Sequence, residues 1–531
     1  MKLGFIDWAI IAGYFIFVLG SGFYFKNKNS DDKDYFLGGR NIGWGLIAMS
    51  LVATQISAVT IIGGPGWAYK DGLQTGAMYL VIPIVMLYMG GVLAPFFYNS
   101  GVSSIHEYLL DRFGSKIRLL MVITYLMKVI AVQGTITYVP ALVLSQITGL
   151  NITITIILIT GIAIISTVMG GIKAAIWSDA LQVVLIWSAL GLSIFILIKA
   201  LPMGFFNALG VAKAAGKLTA IDFKSNISST KSIFAAIIGG AMAHLGYFGT
   251  DQTQVQKMLT AKSMKNLKVS LWVSGIIFVI QILLFTTMGS LLYVYYNGAK
   301  FANSDQVFIT FIVNTMPVGV IGIMIAAIFS ASSLGSALNP IATVFVKDIY
   351  EVYVDKNVSG DKVLKISKYS TLVFGILFAG FAYLQSFVKL SVLESIGKYG
   401  SYVLGSMLGV FLLGIYTKRT NEKGAVAGFV SGFLAVMFVA TQMHITWLWN
   451  TLIGTVVTLA VGYLVSIMTG GEKKEISMYT IKGQKAYFEE NNINEMEDGV
   501  YVLPGKFEKV SYLLILFFIV VIVLLYLLGG K

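Results

Sequence analysis

The chain has 531 residues, 57% of them hydrophobic and only 12% charged, with a formal net charge of +13. A soluble domain carries about 25% charged residues, so there is too much apolar sequence for one soluble core. With no cysteine there is no disulfide framework, thiol nucleophile or thiolate metal site. The positive balance does not call for nucleic acid, because a membrane protein collects Lys and Arg in its cytoplasmic connections.

Apolar runs of roughly 20 residues, each able to cross about 30 Å of hydrocarbon as a helix, recur from end to end. A transmembrane β-barrel would instead show alternating segments of about ten residues. The expected fold is an all-α polytopic membrane protein embedded in a lipid bilayer. About fourteen transmembrane helices are expected, over 5–25, 42–69, 76–98, 117–147, 152–170, 175–199, 232–253, 269–296, 307–349, 367–388, 391–417, 424–443, 446–468 and 511–529. The run 5–25 is long and lacks a small-residue cleavage site, so it reads as an uncleaved first helix.

The second run contains SLVATQISAVT, which places Thr54, Gln55, Ser57 and Thr60 at mid-membrane. One Ser or Thr there is ordinary helix packing; four polar residues so close together point to a break. Backbone carbonyls freed at membrane depth must be satisfied by protein, water or an ion. Ala53 and Ile56 would present two such carbonyls, and Na+ is a hard cation suited to oxygen ligands.

Further along, GGIKAAIWSDALQ sets Asp179 in an apolar helix, where a carboxylate is costly and a functional candidate. The bland alternative is an interfacial carboxylate near Lys173. The span 232–253 has a Gly-rich polar centre five helices after the second run, and paired interrupted helices at matching positions suggest an inverted repeat around a binding site. The run 307–349 is too long for one crossing and is expected to hold a surface segment before Pro317 and a helix after it. Within it, FSASSLGSALNPIA brings Ser332 and Ser336 to one helix face with Ser333 beside them, hydroxyls that could complete an oxygen cage. The polar stretch 470–510 reads as a cytoplasmic loop, too short for a folded domain.

With the N-terminus outside, 26 of the 38 Lys and Arg residues fall in the inside connections, Lys257 and Lys268 among them. This bias places both termini outside, and a plasma (inner) membrane is the default location. Candidate solute-lining groups are Gln55, Ser57, Thr60, Tyr79, Lys128, Gln133, Thr135, His244, Tyr247, Phe248 and Gln252; each taken alone also reads as a packing residue. The three histidines, His106, His244 and His444, are widely spaced. There is no HExxH motif and no phosphate-binding loop, so no enzyme is expected, and the driving energy must come from an ion gradient worth about 2.3 kcal/mol per charge per 100 mV. A channel would also need polar groups at membrane depth, but not an ion cage coupled to a solute site.

DYFLGGRNIGWG, ATQISAVTIIGGPGWAYKDG, SSIHEYLLDRF, GGIKAAIWSD, SSLGSALN with KDIY after it, and GVFLLGIYTKRTNEKGAVAG run in order from residue 34 to 430. Together they resemble the sodium:solute symporter family, which includes sodium/glucose, sodium/proline, monocarboxylate and sialic acid transporters. The resemblance implies alternating access with Na+ as coupling ion. It also implies a LeuT-type core of two inverted five-helix repeats, 42–200 and 232–417. Around that core lie a first helix and cytoplasmic loop at 1–41, an extracellular loop at 201–231, and additional helices over 418–531. It assigns the main Na+ site to the carbonyls of Ala53, Ile56 and Phe329 and the hydroxyls of Ser332 and Ser333. A second Na+ would use Asp179, Ser332 and Ser336, with Gly335 where that family supplies another hydroxyl. The stretch between Gly322 and the Ser pair is two residues shorter than in that family, about 200° of helical rotation, so an irregularity is expected before Ser332. Tyr79 and Phe278 stand where sugar carriers have a carboxylate and a Lys, and Val132 where sialic acid carriers have an Arg. Lys128 and Lys398 offer positive charge, although Glu394, four residues earlier, can pair with Lys398. The expected solute is a small organic molecule, a monocarboxylate or other small organic anion, with a sugar or polyol as the alternative.

Overall fold

The computed structural model describes residues 3–26, 37–102, 104–223, 226, 228–229, 231–301, 304, 306–331, 334–387, 392–443, 445–471 and 478–529. Ser332, Ser333 and His444, and the side chains of Glu394 and Lys398, lie outside what is described.

The described chain is helical apart from one short hairpin that pairs Met496 with Tyr501 and Glu497 with Val500. Helices satisfy their own backbone groups, which hydrocarbon demands. Eleven helices among the described residues are long and apolar enough to cross a membrane, twelve with one bent pair. The expected fourteen are reached only by also dividing the 49-residue helix Ile152–Ala200 and counting the interrupted stretch 235–259 as a crossing. The first division has a visible cause: Gly171 sits at φ 58°, ψ −150° inside that helix, a backbone region open to glycine and closed to most other residues.

The first helix, Phe5–Lys26, packs along Ile152–Ala200. Its carboxylate Asp7 is fully buried yet satisfied, accepting the N–H groups of Gly319 and Gly322 at 2.8 Å each. These amides open the helix Val320–Ser330, where a negative charge meets the positive end of the helix dipole. The long run 307–349 resolves as expected into a short helix, Gln306–Thr315, and a longer path through Val320–Ser330 and Leu334–Val344. Near the C-terminus, Glu422–Gln442 packs on Asn450–Met468. Gly424, Gly428 and Gly432 lie against Ser466, Gly462 and Thr458, the small-residue contact that lets membrane helices approach closely.

The stretch read as a cytoplasmic loop is built and docked over 478–510. Thr480 caps the helix Ile481–Glu490. Gly505 N–H donates to the Gly91 carbonyl at 2.8 Å, Gln484 Nε2 donates to Phe96 O at 3.1 Å, and Phe507 lies against Gly91. Lys268, expected among the loop charges, is instead buried and bonds Glu508 at 2.6 Å.

Candidate functional site

The polar stretch in the second run is where its helix breaks. Trp44–Gln55 and Ala58–Asp71 meet at 60°, with Ile56 (φ −111°, ψ 104°) and Ser57 (φ −90°, ψ 164°) extended between them. Ser57 caps the second half by accepting the Thr60 N–H. A second interruption faces this one. Val320–Ser330 gives way at Ala331, whose carbonyl accepts the Ala58 N–H at 3.1 Å, and beyond Ser333 the described chain is helical over Leu334–Val344. Ala331 (φ −71°, ψ 1°) closes that helix just before Ser332.

Ala53 and Ile56 are buried, with their carbonyls turned to a common donor. Gln182 Nε2 bonds Ala53 O at 3.0 Å and Ile56 O at 3.2 Å. Two carbonyl acceptors fix which end of that amide is nitrogen. Gln182 lies one helical turn after Asp179 on the same face. Asp179 is buried and bonded from three sides. Ser336 donates to Oδ1, Ser50 donates to Oδ2 at 2.5 Å, and Lys257 Nζ lies 2.7 Å from Oδ2. Lys257 also bonds Thr54 Oγ1 at 2.6 Å. Counted from sequence as a loop charge, this lysine is instead fully buried. It comes from the short helix Gln252–Leu259, on the far side of a third break. Asp251 forms that break (φ −97°, ψ 120°) and caps the helix by accepting the Thr253 N–H at 2.9 Å. Its carboxylate pairs with Lys128 Nζ at 2.6 Å, both side chains being less than 10% exposed.

Beside these breaks lies a cavity of about 660 Å³, within the 300–1,000 Å³ range of small-molecule sites. Gln55, Ser57, Thr60, Tyr79, Lys128, Gln133, His244 and Tyr247 line it, and it extends past Trp67 to exposed Lys70. Gln55 Nε2, Gln133 Oε1 and His244 Nε2 are buried without a hydrogen-bond partner among the described residues. Tyr79 rests between His244 and Phe278, with ring centroids 5.3 and 5.7 Å away.

Three candidates are placed elsewhere. Phe248 packs against His244 and Tyr247 behind the wall. Gln252 turns inward, accepting the Ile105 N–H at 3.0 Å and donating to Gln256. Thr135 bonds back to Ala131 O. Sequence reasoning missed Asp251, Lys257, Gln182 and Ser50. The available signals were the polar run DQTQVQK straight after an apolar span, and a Gln three residues beyond the intramembrane Asp.

A family model described as the sodium:solute symporter family matches residues 35–432. The chain belongs to that family. The symporter is 31% identical over 476 residues to the sodium/sialic acid symporter SiaT of Proteus mirabilis (strain HI4320), covering 87% of this chain and 95% of that protein. It is 29% identical to the sodium-coupled monocarboxylate transporter 2 of Mus musculus, over 82% of this chain and 72% of that protein. Among solved structures, a substrate-bound, outward-open Na+-coupled sialic acid symporter matches with a TM-score of 0.83 at 27% identity, over 89% of this chain and all of that one. The nucleobase-cation symporter Mhp1 matches in fold alone, with a TM-score of 0.52 at 13% identity. The fold is LeuT-type, Na+ is the coupling ion, and the protein is a secondary transporter rather than an enzyme.

Proposed function

We propose that this symporter takes up a small organic carboxylate with Na+ across a plasma (inner) membrane, both of its termini lying outside. The ion rests on the carbonyls of Ala53, Ile56 and Phe329 and the hydroxyls of Ser332 and Ser333, and the solute occupies the adjoining cavity. The observation that carries this reading is the break itself. Residues 53–57 supply two inward carbonyls on one side and the cavity-lining Gln55 and Ser57 on the other. A carboxylate is favoured by the Lys128 ammonium on the wall and by the start of Ala58–Asp71 at the cavity, since half-helix N-termini suit anionic groups. The relatives point the same way, because monocarboxylates and sialic acid both carry that group. The cavity reaches Lys70 and Asp71, at the helix end that the Lys and Arg distribution assigns to the outside, so solute enters from there.

The alternative, a sugar or polyol, draws on the pairing of Lys128 with Asp251, which leaves that wall without net charge. Thermal stability of the purified protein in Na+ against K+, over a panel of carboxylates, sugars and polyols, decides between them, since a ligand that binds the folded state raises its melting temperature. A carboxylate that stabilises only in Na+ is expected. A polyol doing so, with carboxylates inert, replaces the reading.

A further inference from the structure

Asp179 is an acidic group beside the ion-binding break, and with Ser336 it was the expected holder of a second Na+. We propose that the Lys257 ammonium is the cation this carboxylate holds, so that the symporter binds a single Na+ per cycle; the inference rests on Na+-coupled transport.

The geometry around Nζ is that of a coordinated cation. Its three acceptors are the Asp179 carboxylate at 2.7 Å, the Thr54 hydroxyl at 2.6 Å and, at 3.4 Å, the Ser50 carbonyl. An ammonium has three N–H donors and no acceptor, so these oxygens use its whole capacity. They are the same kinds of oxygen that a Na+ ion would take. Asp179 is filled in turn: Ser50 and Lys257 share one oxygen and Ser336 donates to the other. The lysine side chain is 0% exposed and the aspartate 3%, and charges buried this deeply are costly unless they are paired.

Space alone does not keep a second ion away. A chamber of about 40 Å³ adjoins Asp179, with Tyr14, Ser166, Thr167 and Ser336 among its lining residues. A single water needs about 10–15 Å³ by the same kind of measure, so one small ion would fit. Charge decides the matter. The pair is neutral as it stands, and adding Na+ would leave an uncompensated positive charge beside the ammonium, in a medium that screens it poorly. Removing the ammonium while keeping the carboxylate reverses that sign and makes the chamber a cation site.

The test is equilibrium binding of 22Na+ to the purified symporter without solute, with the Na+ dependence read in parallel from thermal stability at constant ionic strength. Wild type is expected to bind one Na+ per chain with a Hill coefficient near one. Lys257→Gln is expected to bind two, and Lys257→Arg one. Two ions on wild type overturn the proposal, as does a count that stays at one in Lys257→Gln. No bound Na+ on wild type would instead strike at Na+ coupling itself. If Lys257→Gln does not fold, Ser336→Ala decides. Under the proposal its Na+ affinity stays within twofold of wild type, and a tenfold loss would show that Asp179 and Ser336 hold the ion.

Discussion

Gln182 makes a measurable claim about how Na+ enters. Its amide bonds both carbonyls assigned to the ion, at 3.0 and 3.2 Å, and the side chain is 2% exposed. A sodium ion bridging the two carbonyls needs the position between them that the amide nitrogen now holds, so ion binding displaces the amide. Each such hydrogen bond has a net worth of about 1 kcal/mol, giving a competing term of about 2 kcal/mol for the two. Gln182→Leu keeps the bulk, removes the donor and hinders water from replacing it. The Na+-free protein then leaves the Ile56 carbonyl poorly satisfied and Ala53 O with only the Ile56 N–H at 3.1 Å, while the Na+-bound protein does not. The apparent Na+ affinity should rise by about thirtyfold, since every 1.4 kcal/mol is a factor of ten, and the melting temperature in K+ should fall. A Na+ titration of thermal stability, with K+ holding ionic strength constant, measures both. Weaker Na+ binding in Gln182→Leu would mean that Gln182 serves the ion as a ligand. An unchanged affinity would mean that the two carbonyls are not the ion's.

Other outcomes follow from single contacts. Lys128→Met strands the buried Asp251 carboxylate and should cost about 3–5 kcal/mol; Lys128→Met with Asp251→Asn should recover most of that stability, and carboxylate binding by the double variant would remove Lys128 from solute recognition. Arg118 bonds Asp348 through Nε at 3.0 Å and through a terminal nitrogen at 2.6 Å, and the latter also bonds Lys347 O. Lys cannot reproduce that fork, so Arg118→Lys should lower thermal stability clearly, whereas Lys362→Gln, at an exposed pair, should leave it nearly unchanged. Gly91→Leu would drive a side chain into the Phe507 ring and undock the 478–510 segment, which limited proteolysis would report as faster cleavage there.

The fold was legible because hydrocarbon imposes it: long apolar runs can only be helices, and their polar interruptions showed where the second run would break. The breaks also explain what was missed. Lys257 and Lys268 looked like loop charges, since each lies within a few residues of Lys262 and Lys265. Their burial depends on partners far away in the chain, Asp179 and Glu508, which no local pattern announces. Asp251 was hidden for the same reason, its partner Lys128 lying 123 residues earlier. The 470–510 stretch is polar and reads as loop, yet its residues 478–510 are held by a glycine on another helix that leaves room for Phe507. Among the solute-lining candidates, periodicity identified a helix but not its facing, so Gln252 was grouped with the cavity although its amide joins Ile105 and Gln256.

At the proposed sites, the same short backbone segment would couple ion and solute. Ala53 and Ile56 give their carbonyls inward, while Gln55 and Ser57, between and beside them, face the cavity. Sodium on those carbonyls, as proposed, would fix the extended conformation at Ile56 and Ser57, and with it the positions of Gln55 and Ser57. A solute engaging Gln55 and Ser57 holds the same dihedrals and so favours the ion. Linkage makes the two effects equal: the factor by which Na+ raises solute affinity is the factor by which solute raises Na+ affinity. Couplings of this kind are typically about 1–3 kcal/mol, or roughly 5–150-fold. Ser57→Ala removes a cap worth about 1 kcal/mol and loosens the segment for both ligands, so it should weaken each one's affinity alone and raise the reciprocal factor, since whichever ligand binds first then orders the segment for the other. Solute titrations at low and saturating Na+, and Na+ titrations with and without solute, give the two factors independently. Unequal changes in the two single affinities, with one ligand untouched by Ser57→Ala, would place ion and solute on separate supports.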